Sequence, residues 1–160
     1  MTDKTKQEKG FSLIELMIVV AIILIIAAIA IPNLLRSKMS ANEASAVGSM
    51  RTLNTASVAY SIEYGTYPAS VGVLAGTGTS ASSTSALLID TVLGSGKKSG
   101  YTFTWSAGST DANGNYLNYS ISASPSSPGI TGQRYFYTDQ SGVIRGSQSA
   151  SATINSTPLS

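Results

Sequence analysis

Sixteen consecutive residues, Leu16 to Ile31, are all Leu, Met, Ile, Val or Ala. Extended to Phe11 and Leu35, the segment holds 25 residues, interrupted by Ser12, Glu15, Pro32 and Asn33. As an α-helix it runs ~37 Å, enough to cross a ~30 Å hydrocarbon core. It has no polar face, so lipid or other protein must enclose it. Three fates are open: a secretory signal, a permanent membrane helix, or a segment that begins in a membrane and ends inside an assembly. A secretory core is shorter, about 7–15 residues, and a small-x-small cleavage site follows it. Here Pro32-Asn33-Leu34-Leu35-Arg36 follows instead. Lys4, Lys6 and Lys9 precede the run, which orients the N-terminus to the cytoplasm and everything after Arg36 outside.

Charge is scarce elsewhere, at 11% of the 160 residues with a net of +2. That is too little for a nucleic-acid face, and no specific nucleic acid is expected as a partner. The chain has no His and no Cys. Disulfides, thiol nucleophiles, Ser-His-Asp triads and His/Cys zinc sites are therefore excluded, and an enzyme is not expected. Gly76-Thr77-Gly78 and Gly94-Ser95-Gly96 lack the strand and Lys-Ser/Thr context of a phosphate loop. Lys97-Lys98 beside Tyr101, Phe103 and Trp105 reads as a solvated loop next to a sheet core.

Two residues do not fit a plain anchor. Glu15 lies in apolar surroundings, where an acid at mid-helix costs roughly 2.5–3.5 kcal/mol and less near an end, where it can instead reach water at the interface. Pro32 removes the hydrogen bond to residue 28 and marks a helix end or kink.

Lys9-Gly10-Phe11-Ser12-Leu13-Ile14-Glu15-Leu16-Met17-Ile18-Val19-Val20-Ala21-Ile22 resembles the N-terminal segment of type IV pilins and type II secretion pseudopilins. The likeness covers residues 9–36 densely and thins after residue 68. It implies that a prepilin peptidase removes the leader 1–10 by cutting between Gly10 and Phe11. The same enzyme, a methyltransferase as well, then N-methylates Phe11. It also implies that Glu15 meets the N-terminal amine of Phe11 on a neighbouring subunit. Such a charge partner offsets the burial of an acid and sets register between featureless apolar helices.

Residues 36–64 change character with no turn signal. Met39, Ala46, Met50, Leu53, Tyr60 and Tyr64 recur on one helical face, Gly65 is a C-cap and Pro68 a stop. The spacing predicts a helix over 11–64, ~80 Å long, with a membrane or filament-core half (11–35) and an amphipathic half (36–64). A head over 65–160 follows, made of a loop 69–100, a sheet 101–145 and a flexible tail 146–160. Within the loop, Ala86–Leu93 is expected to make a helical turn or two. Period-two alternation in Tyr101–Trp105 and Tyr116–Ala123, with Arg134–Thr138 and Val143–Arg145 about the turn Asp139–Gly142, predicts four antiparallel strands. The expected fold class is α+β and pilin-like, one very long N-terminal helix packed by a small antiparallel sheet.

No cofactor is expected. Calcium is compatible with Asp90, Asp111 and Asp139, but their separation does not indicate a site. Asn118-Tyr119-Ser120 and Asn155-Ser156-Thr157 have the form of glycosylation acceptors. The resemblance implies a structural subunit that polymerises with copies of itself into a cell-surface pilus for adhesion, motility or DNA uptake. Its other partners would be an inner-membrane assembly platform and its ATPase, with the inner membrane as host before assembly. The alternative is a pseudopilin of a type II secretion system. A monomeric membrane-anchored binding protein is more distant, since a monomer gains nothing from burying Glu15.

Overall fold

The computed structural model describes residues 10–148 and 151–159. Helix α1 runs Leu13–Tyr64, and two single-turn helices follow, α2 Val71–Leu74 and α3 Thr91–Gly94. Six strands come next: β1 Lys97–Lys98, β2 Tyr101–Ala107, β3 Tyr119–Pro125, β4 Tyr135–Asp139, β5 Arg145–Ser147 and β6 Thr157–Pro158. They form one antiparallel sheet in chain order. The chain divides into two compact units at Ser37/Lys38. The α+β expectation of one long helix with an antiparallel sheet holds, with six strands where alternation predicted four.

In the second unit, α1 buries Ala46, Ser49, Met50, Leu53, Asn54, Ala56, Ser57 and Tyr60, positions spaced three, four and seven apart as one face requires. Opposite them lie Tyr101 and Phe103 of β2, Tyr119, Ile121 and Ala123 of β3, and Phe136 of β4. Leu74, Ala86, Ile89 and Leu93 close the core from the connecting segment. Full burial of each large apolar side chain here contributes ~1.5–3 kcal/mol. Gly65 ends α1 with φ +71° and its N–H on the Ser61 carbonyl at 3.0 Å. This left-handed cap strains any residue with a Cβ.

The sheet register pairs Phe103 with Ala123, Trp105 with Ile121, and Ala123 with Phe136, so one face is apolar and the other carries Ser and Thr. Ala86–Leu93 is helical only from Thr91. Upstream of it, the Ala86 and Leu88 N–H groups donate to the Val73 and Leu74 carbonyls, both at 2.8 Å. The segment expected to be a flexible tail supplies β6, paired with β5 through Arg145↔Pro158 and Gly146↔Thr157. Ala152 is buried there, and the Leu159 N–H reaches the Ile144 carbonyl at 2.8 Å. Those backbone bonds, which sequence composition does not carry, order a Ser/Thr-rich strand.

Helix and sheet are joined by a buried polar knot. Tyr119 Oη donates to Asn54 Oδ1 at 3.1 Å, and Asn54 Nδ2 donates to Thr138 Oγ1 at 2.9 Å. Burial pushes the Tyr119 phenol up to about 12. Its folded pKa lies above the unfolded value of ~10, so its contribution to stability is complete below pH ~10 and is lost as pH rises toward about 12. Tyr101, also raised by burial, adds to the same decline. Thermal melts of the full chain in detergent at pH 9, 10, 11 and 12 are therefore expected to fall steeply above pH 10. Tyr119→Phe should fall less steeply, and identical profiles would contradict a buried, proton-holding Tyr119.

Candidate functional site

The N-terminal segment begins with Gly10 and Phe11, both exposed and ahead of the first helical residue. A Cβ at Gly10 would meet nothing within 4 Å among the described residues, so the described fold does not itself require glycine there. Ser12 is the N-cap of α1. Its carbonyl accepts the first helical bond from the Leu16 N–H at 3.2 Å, and its own N–H donates to Glu15 Oε2 at 2.9 Å. Ser12 and Glu15 thus form one arm of a capping box, in which the N3 carboxylate reaches back to the N-cap amide. The carboxylate also faces the positive end of the helix dipole, an effect of about 0.3–1 kcal/mol at an exposed end. The S-x-x-E pattern ahead of an apolar run is the sequence signal for this role, which a reading of Glu15 by burial cost alone overlooks.

From Phe11 to Leu35 the large apolar side chains are exposed, Phe11 by 80% and Leu34 by 69%. The helix is long and apolar enough to cross a membrane, and none of its most apolar stretch is buried. The helix continues through Pro32, which leaves the Ala28 carbonyl without its in-helix donor. Lys4, Lys6 and Lys9 lie outside the described residues.

In the second unit the three aspartates stay with their own loops. Asp90 caps α3 at the Leu93 N–H (2.9 Å) and pairs with Lys98 at 2.9 Å. The Lys98 hydrogen bond, with the Leu93 amide, holds the Asp90 carboxyl below its ordinary range. Asp111 accepts from the Asn113 and Asn115 N–H groups, and Asp139 from the Ser141 N–H. Among the described residues no three acids gather into a metal-binding group. Asn118 is committed to Ser109 through both ends of its amide, while Asn155 is exposed.

Comparison with known proteins agrees on where the information lies. Residues 5–31 match the family described as the prokaryotic N-terminal methylation motif. The chain is 44% identical over 61 residues to the type IV major pilin of Myxococcus xanthus, covering 38% of this chain and 28% of that protein. It is 58% identical over 38 residues to the major component of the type IV wide pilus of Thermus thermophilus, 24% of this chain and 29% of that one. It is 37% identical over 65 residues to the type II secretion system core protein G of Vibrio cholerae, 41% of this chain and 44% of that one. The alignments span less than half the length of these relatives. No solved structure matches the chain.

Proposed function

We propose that this chain, whose N-terminal segment is a prokaryotic N-terminal methylation motif shared with type IV pilins and type II secretion core proteins G, is a structural subunit of a type IV pilus. The observation that carries the reading is the apolar half of α1. Its large apolar side chains are exposed, and a helix apolar on every side needs either lipid or many neighbouring helices around it. The subunit occupies both environments in turn. It is first held in the inner membrane with Lys4, Lys6 and Lys9 cytoplasmic and the head outside. It is then transferred, by an assembly platform and its ATPase, into a filament where helices of other copies replace the lipid. The partners are thus copies of itself, the processing enzyme and the assembly machine. The chain has a structural role and no enzymatic one.

The exposed Gly10–Phe11 junction supports processing there. A glycine that the fold does not require suits close approach of a peptidase to the backbone. Hydrolysis there leaves Phe11 with a free amine, which methylation keeps cationic. In the filament Glu15 meets that amine on a neighbouring subunit, while in the monomer it caps Ser12.

A type II secretion pseudopilin is the second reading, favoured by the core protein G alignment, which is the longest of the three. The Ser/Thr-rich loops and dispersed acids of the head support the pilus. Immunogold labelling of whole cells with antibody against the head tests the choice. Labelled filaments on the surface are expected, and label confined to the periplasm would support the pseudopilus instead.

A further inference from the structure

At the free margin of the sheet, β5 and the residues flanking the start of β6 line an open cavity of about 460 Å³. Arg134, Ser147, Gln148, Asn155, Ser156 and Thr157 line it, with Gly146 as its floor. The volume is that of a small-molecule cleft, but its lining is polar throughout. Among the described residues, the Arg134 guanidinium makes no hydrogen bond and no ion pair. It lies over the Phe136 ring, 5.4 Å from the centroid, a contact that fixes its position without using its N–H donors. The Glu43 carboxylate lies beside Arg134 but forms no ion pair with its guanidinium; its Oε1 accepts from the backbone N–H groups of Gln133 and Arg134 at 2.8 and 3.2 Å.

Gly146 makes the cavity. A Cβ there would lie 2.9 Å from Arg134 Nη2 and 3.1 Å from Leu159 Cδ2. A glycine inside a strand often marks such close approach. The opposite wall is braced from within. Arg145 Nη1 donates to the Ser156 carbonyl at 3.2 Å, the Ser156 N–H to the Thr153 carbonyl at 3.0 Å, and the Thr153 N–H to Ser156 Oγ at 3.0 Å. These bonds leave the side chains of Gln148, Asn155 and Thr157 without partners among the described residues.

We propose that this cleft binds a carboxylate-bearing sugar. A guanidinium fork matches a carboxylate with two parallel hydrogen bonds. Two amides and a hydroxyl supply the mixed donors and acceptors that ring hydroxyls need. One cation with no acid in the lining suits a monoanion and disfavours a more highly charged ligand. The site does not depend on polymerisation.

The test is a titration of the full chain in detergent micelles with sodium glucuronate, followed by NMR, with glucose and inorganic phosphate as comparison probes. Saturable shifts at Arg134, Gln148 and Asn155 are expected with glucuronate and not with glucose. Arg134→Gln should weaken binding about tenfold or more. Asn155→Ala, an exposed change that leaves the Phe136 contact intact, should weaken it several-fold at unchanged melting temperature. Equal shifts from glucose and glucuronate would overturn the proposal, as would unchanged titrations in Asn155→Ala. Phosphate binding as tightly as glucuronate would also overturn it, by showing a bare anion site.

Discussion

Glu15→Gln is expected to insert in the membrane, fold its head normally and fail to build filaments. Gln at the third helical position retains an oxygen that accepts from the Ser12 N–H, so the cap seen at 2.9 Å survives. The negative charge is lost, and with it the proposed attraction to the methylated amine of a neighbouring subunit. Breaking a buried ion pair costs about 3–5 kcal/mol, so each subunit addition weakens by roughly a hundredfold or more. The ratio of sheared filament to total membrane subunit should fall by that order. Glu15→Ala separates the two roles of the carboxylate, because it loses the cap as well and should also fray the first turn of α1. A filament ratio for Glu15→Gln equal to the unsubstituted chain would leave Glu15 as a helix cap alone.

Gly10→Val is expected to leave the precursor uncut. Among the described residues nothing within 4 Å opposes a side chain at Gly10, so folding and insertion should proceed and the effect should fall on the peptidase. Unprocessed subunit should accumulate in the membrane, and filaments should drop to background because Phe11 never gains a free amine. Gly10→Ala, with the smallest side chain, should be cut slowly and not abolished. Immunoblots that resolve precursor from mature chain read this directly. Normal processing of Gly10→Val would place the cleavage site elsewhere.

Much of this architecture is legible in the sequence because it rests on local periodicity. The apolar face of α1 is written at Ala46, Met50, Leu53 and Tyr60, all buried, and Gly65 marks its end by the left-handed turn it adopts. Alternation in Tyr101-Thr102-Phe103-Thr104-Trp105 announces β2. The two edge strands are invisible to the same method, since Lys97–Lys98 and Thr157–Pro158 are too short to show a period and exist through pairing with β2 and β5. Glu15 shows a different limit. Its oddity in an apolar run draws attention to what lies outside the monomer, and its bond to Ser12 follows from a pattern only four residues long. The cleft at Arg134 was not legible at all, because Gly146 and Asn155 come to line one cavity only once β6 pairs with β5.

Trimming at Gly10–Phe11 and polymerisation by the helix are tested together by the intact mass of the subunit in sheared surface filaments. The expected subunit begins at Phe11 and carries one N-methyl group there. A filament subunit that retains residues 1–10 would contradict the trimming.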